Sequence, residues 1–231
     1  PPRPPTGPRE RPRSASGLAP IRYAAGAMSD PARLTLVRHG ETRANLERVW
    51  HGSTDAPLTA RGLAQAERVS YFLGQRGAGA AALYASQLLR ARATAEAIGA
   101  RLALPVRIDP ELAEFHLGSW EGQTYQALFQ EFRLFERMKE DPDFAAHGGE
   151  SPRQVTERVA AALRRIAAGH PGERVIVVVH GGALALVLAQ LLDGDYREWR
   201  GVMDNGGVSE LVLEPRPRLL SFNRVDHLAG L

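Results

Sequence analysis

Cysteine is absent from this 231-residue chain. That excludes disulfides, thiolate metal sites and thiol nucleophiles. A cytoplasmic location is compatible with the absence and is the expectation here. Long hydrophobic runs are missing too. The longest mostly apolar run, Gly181 to Leu192, falls short of the roughly 20 residues of a membrane-spanning helix. No membrane partner is expected. The histidines and acids show no ligand spacing such as H-E-x-x-H, so no metal or other cofactor is expected. What is present is globular. Hydrophobic residues are 44% and charged residues 24%, over a length ordinary for one α/β domain.

Pro1 to Ala27 stands apart in composition. It holds seven of the sixteen prolines, and five arginines against one acid. Its charge of +4 exceeds the chain's net +3, so residues 28–231 carry −1. Sequence this poor in apolar residues does not offset its ordering entropy by burial, and it reads as a disordered tail. A basic tail suits nucleic acid, but Tyr23 is its one aromatic. An arginine-rich, acid-poor segment also suits a transit peptide. The preferred reading is translated upstream sequence, with Met28 as the natural start and no nucleic-acid partner. Residues 28–231 then form the single domain.

Two stretches organise that domain. Leu34 to Val37 is a short aliphatic strand closed by Gly40, and it delivers Arg38 and His39 to its carboxyl end. Val175 to Val179 is a run of five aliphatics, which marks a central strand buried on both faces and flanked by helices. It too ends in His-Gly, at His180-Gly181. Ligands of open α/β sheets bind beyond the carboxyl ends of the strands. Both histidines therefore fall at the mouth of a site. One such histidine is ordinarily structural; two at equivalent positions are harder to explain that way. Arginine offers paired planar donors to phosphate oxygens, and a neutral imidazole attacks phosphorus. The pattern points to phosphate chemistry, against a bland alternative of solvated strand ends.

Local signals give the rest. Glu41 to His51 is polar, and Asn45 within it folds back to the first mouth. Thr59 caps a helix whose inner face carries Leu63, Ala66, Ser70 and Leu73, closing at Gly74 or Gly77. Ala81 to Ala85 is a strand. Ser86 caps the next helix, to about Ala100, and Arg90 lies in its first turn, where anions are favoured. A solvated helix arginine is the competing reading. Pro105 to Ile108 is a short strand. Glu111 to Gly122 is a glycine-punctuated loop mixing carboxylates, a histidine and a tryptophan. Within it, Glu114 is either functional or an exposed loop acid. Gln123 to Glu140 reads as one amphipathic helix with its aromatics in packing roles. Ser151, Pro152 and Gln154 form a capping box with proline in the first turn, and Gly169 ends that helix. A helix from Ala183 to Leu192 and two strands, Gly207 to Leu213 and Leu219 to Arg224, close the domain.

The string Arg38-His39-Gly40-Glu41-Thr42 resembles the signature of the histidine phosphatase superfamily, which includes the phosphoglycerate mutases. Ser86 to Ala95 resembles its second motif, with the arginine on Arg90. Glu114, Gly118, Trp120, Glu121 and Gly122 resemble a third. The likeness covers about Arg33 to Leu228. It implies a three-layer α/β/α sandwich with a mainly parallel central sheet. It also implies a phosphoric monoester hydrolase with a phosphohistidine on His39 and Glu114 as proton donor. His180 would complete the catalytic set, and Arg38, Asn45, Arg90 and Gly181 would bind the phosphate. Segment 123–150 would be a lid that sets substrate choice. His39 must be neutral to attack, and Glu114 must carry a proton before it gives one up.

The mutases carry Arg-His-Tyr-Gly after the Glu114 position, where this chain has Phe115-His116-Leu117-Gly118. Their later paired arginines are absent from 123–150. The expected activity is hydrolysis of a small phosphorylated metabolite, with mutase-type transfer second and a non-catalytic phosphate-binding protein third. Neither the particular substrate nor the oligomeric state is legible in the sequence.

Overall fold

A computed structural model describes residues 30–75, 79–198 and 201–231. The tail expected over 1–27 lies outside the described residues. The elements run in chain order: β1 Arg33–Arg38, α1 Arg43–Glu47, α2 Ala60–Gly74, β2 Ala82–Ala85, α3 Leu89–Leu102, β3 Val106–Ile108, α4 Leu134–Glu140, α5 Pro152–Ala168, β4 Arg174–Val179, α6 Gly181–Asp193, β5 Val208–Val212 and β6 Arg218–Arg224. The six strands form one sheet in the order β3-β2-β4-β1-β5-β6. β3, β2, β4 and β1 are mutually parallel, while β5 pairs antiparallel with both β1 and β6. This is the expected α/β architecture with a mostly parallel sheet.

The strand sequences explain the layers. Successive side chains point to opposite faces of a sheet. In β4, Val175, Val177 and Val179 pack with α5 and α6, while Ile176 and Val178 pack with α2 and α3. In β1, Leu34 and Leu36 take the first face and Val37 the second. Burying each such aliphatic side chain contributes about 1.5–3 kcal/mol. The two richest strands therefore lie side by side at the centre, and their His-Gly ends lie side by side as well.

Helix starts follow their caps. Thr59 accepts from Gly62 N, and Ser151 and Gln154 form the reciprocal box. Glycine is required where β1 meets α2. A Cβ on Gly40 would lie 2.4 Å from the carbonyl oxygen of Gly62. Among the described residues, no helix is long and apolar enough to cross a membrane.

Several local expectations need correction. The polar stretch after β1 contains a helix, α1, because Thr42 and Asn45 build a capping box. Leu63 is 53% exposed, and Val69 takes the inward place beside Ala66 and Leu73. Ser86 does not cap α3, whose N-cap is Leu88 with no side-chain bond. Asp55 Oδ1 accepts from Leu89 N instead, across 2.7 Å. The helix expected over Gln123 to Glu140 is broken into a π-helical turn, Ala127–Glu131, and α4. Arg133 sits between them at φ 52°, a left-handed conformation that no α-helix continues through.

Candidate active site

A cavity of about 260 Å³ opens at the carboxyl ends of β1 and β4. Its polar wall includes Arg38, His39, Asn45, Arg90 and Glu114, drawn from four separate stretches of chain.

His39 follows β1 directly and is 3% exposed. Its Nδ1 lies 2.7 Å from the carbonyl oxygen of Gly40. A carbonyl only accepts, so Nδ1 carries the hydrogen and a neutral ring keeps its lone pair on Nε2. Burial holds the His39 pKa well below 6.5, and the charges of Arg90 and Arg38 add to this. The ring is thus neutral at pH 7 with one defined basic nitrogen.

His180 follows β4, fully buried, with its ring centroid 5.1 Å from that of His39. Its Nε2 is 2.5 Å from Ser86 Oγ, and its buried Nδ1 has no partner. Burial, then Arg90 and His39, depress its pKa well below 6.5. His180 stands behind the cavity wall, in contact with His39.

The two arginines are anchored from behind. Arg90 is 2% exposed and donates through Nη1 to Thr54 O at 2.9 Å and through Nη2 to Gly52 O at 2.7 Å. Arg38 donates through Nη1 to Met203 O, while its buried Nε has no partner. Buried donors without partners are rare, so this one marks a place for an acceptor. Gly181 backs Arg38: a Cβ there would lie 3.0 Å from the guanidinium carbon. Gly182, its neighbour, is the residue on the cavity wall. Asn45 Oδ1 accepts from Thr42 N, Thr42 Oγ1 and Asn205 Nδ2. That leaves its NH2 group for a ligand.

Glu114 reaches across to α6. Its Oε1 accepts from Phe115 N at 2.8 Å and Ala183 N at 2.6 Å, and its Oε2 from Gly182 N at 3.0 Å. The positive end of α6 thus holds the carboxyl. The main chain around it is fixed by Arg158 of α5, which donates to the carbonyls of Glu111, Ala113 and Glu114 and to both oxygens of Glu150.

Sequence reasoning missed His51, Trp50 and Tyr125, all on the cavity wall. His51 precedes Gly52, which was the available signal. Burial, with Arg90 next, lowers its pKa. Helical periodicity puts the aromatics of 123–140 in packing roles; Tyr125, Phe129 and Phe135 instead line the cavity, while Phe132 packs on Trp120. The composition of the 111–122 loop reflects support of the site as well as the site itself. Glu121 accepts from His116 Nδ1 at 2.5 Å and from the backbone N–H groups of Ser53 and Thr54. It therefore braces the loop whose carbonyls hold Arg90. Among the described residues, no cluster of three or more His, Cys, Asp or Glu is placed to hold a metal.

Known proteins resemble this chain in sequence and fold. The profile of the histidine phosphatase superfamily (branch 1) matches residues 34–224. The chain is 34% identical over 188 residues to the glucosyl-3-phosphoglycerate phosphatase of Mycobacterium tuberculosis, covering 77% of this chain and 82% of that protein. The structure of a mycobacterial glucosyl-3-phosphoglycerate phosphatase complexed with VO3 superposes with a TM-score of 0.72 at 33% identity, over 84% of this chain and 99% of that one. Against a bifunctional protein of M. tuberculosis, 36% identical over 73% of this chain, the match spans 46% of the relative's length. Relatives named as phosphatases support a phosphoric monoester hydrolase. The chain belongs to the histidine phosphatase superfamily, branch 1.

Proposed function

We propose that this protein hydrolyses a small phosphomonoester, without a metal, through a phosphohistidine on His39. The observation that carries the reading is the Nδ1 hydrogen bond of His39 to Gly40 O, which leaves Nε2 unprotonated near the guanidinium groups of Arg38 and Arg90. Nε2 attacks phosphorus while the bond to the leaving oxygen breaks. Arg38, Arg90 and Asn45 accept the charge that spreads over the phosphoryl oxygens. Glu114 gives its proton to the leaving oxygen, then takes one from the water that attacks the phosphohistidine, restoring His39. This role requires a proton on a carboxyl lone pair that the three backbone donors leave free.

Hydrolysis ranks above mutase-type transfer because Phe115, on the cavity wall, and Leu117, in the core, are apolar side chains. Polar substrate contacts occupy those positions in the resembling mutases. The test is phosphate release from p-nitrophenyl phosphate in the presence of chelator. The wild type is expected to turn over and His39→Ala to be inactive. Turnover by the variant would overturn the assignment of the nucleophile. Conversion of 3- to 2-phosphoglycerate faster than phosphate release would restore the mutase.

A further inference from the structure

Away from the phosphate end, the cavity wall is apolar. Tyr125 and Phe129 are stacked at 6.0 Å and 10°, and Phe129 and Phe135 at 4.2 Å and 19°. Leu134, Met138 and Leu186 extend the surface. The arginines on the wall, Arg38 and Arg90, are tied to backbone carbonyls at the phosphate end. Among the described residues, no lysine or further arginine lines this cavity; Arg48 lines an adjoining one that shares Tyr125 and Phe129 with it. A second anionic group held against the aromatic wall would lose its water there. An aryl or alkyl group would instead cover apolar surface.

We propose that this site selects phosphomonoesters whose alcohol is uncharged and apolar. The proposal rests on the hydrolase reading above. It separates this chain from a glucosyl-3-phosphoglycerate phosphatase in substrate class, although the fold is shared.

The test compares alcohols of similar leaving ability, so that intrinsic reactivity cancels. Hexyl phosphate and 2-phenylethyl phosphate are set against glycerol 3-phosphate and 3-phosphoglycerate. The apolar pair is expected to have kcat/KM higher by about a hundredfold. Phe129→Arg is expected to narrow that gap by at least about tenfold, mainly through KM. Binding of the same four compounds to His39→Ala, followed by calorimetry, is expected to rank them identically. Equal kcat/KM across the set, or tighter binding of 3-phosphoglycerate, overturns the proposal. Absence of turnover with all four, while the binding order holds, overturns the hydrolase reading and leaves the selectivity standing.

A second inference comes from Arg158, which does not touch the cavity. All five of its N–H donors are engaged: Nε with Glu150, Nη1 with Glu111 O and Ala113 O, Nη2 with Glu114 O and Glu150. Its carboxylate partner also accepts from His116 N at 3.1 Å. The backbone on both sides of Glu114 therefore hangs on one side chain. The geometry assigns Arg158 as a positioning residue for the proton donor.

This too rests on Glu114 being the donor, and the test separates the two ideas. A misplaced donor harms alcohols that need a proton and spares those that leave as stable anions. In Arg158→Lys, kcat/KM is expected to fall by about tenfold or more for 2-phenylethyl phosphate and by less than about threefold for p-nitrophenyl phosphate. Equal losses on both substrates, or no loss, overturn the positioning role. Glu114→Gln is the control: a uniform loss there overturns the donor assignment itself.

Discussion

The ends of β1 and β4 carry the same dipeptide, His-Gly, on adjacent strands, yet the two histidines differ in their hydrogen bonds. His39 gives its Nδ1 hydrogen to its own chain neighbour, Gly40, and lies on the cavity wall. His180 uses its other nitrogen, with Ser86 as partner, and lies behind the wall. What separates them is the partner each ring finds. A backbone carbonyl fixes the hydrogen on Nδ1 of His39 and frees Nε2. A serine hydroxyl donates or accepts, so it leaves the His180 tautomer to its surroundings. Equal sequence at two strand ends thus gives one ring a free Nε2 on the cavity wall and the other a place behind it.

The sharpest way to break this comparison is to remove each ring in turn. His39→Ala is expected to abolish acid-labile phosphoenzyme in rapid-quench experiments, with turnover lower by on the order of a thousandfold or more. His180→Ala is expected to lower turnover by about a hundredfold while still forming phosphoenzyme, because only charge stabilisation and support are lost. Phosphoenzyme in the first variant but not the second would exchange the two roles.

Ser86→Ala probes the serine contact alone. It leaves Nε2 of His180 buried without its partner, which costs about 1–3 kcal/mol of stability. Urea denaturation measures that loss, and turnover is expected to fall by about tenfold. Unchanged stability would mean that the Ser86 bond does not hold the ring.

The smallest effect concerns pH. Both rings have folded-state pKa values below 6.5, from burial first and the nearby arginines after it. In the window below 6.5 the unfolded chain binds more protons than the folded one. The stabilising contribution is therefore complete above pH 6.5 and is lost as pH falls toward the folded values. Denaturation midpoints are expected to decline with acidification below 6.5, and each His→Ala variant to flatten the slope. A slope unchanged in both variants would assign the acid sensitivity to other groups.

Much of the site was legible in the sequence. Arg38, His39 and His180 stood out because a buried strand announces itself by its aliphatic run, and a glycine marks where it stops. The caps at Thr59 and Ser151 were legible for a similar reason, since each bond closes within three residues. The break at Arg133 was not, because the 123–140 sequence has helical periodicity on both sides of a turn that packing imposes. Tyr125 and Phe129 before that break and Phe135 after it line the cavity, although periodicity alone puts them in the packing.

The sequence by itself determined the parallel centre of the sheet, the two histidine-bearing strand ends and the family. Those features rest on local patterns of burial and on short motifs. Only the tertiary structure decided which histidine faces the cavity, what anchors Arg90 and what Glu114 leans upon. The Ser86–His180 bond joins residues 94 apart, and the Arg158 contact to Glu114 joins residues 44 apart. Bonds of that span depend on how the layers pack, and no window of neighbouring residues contains them.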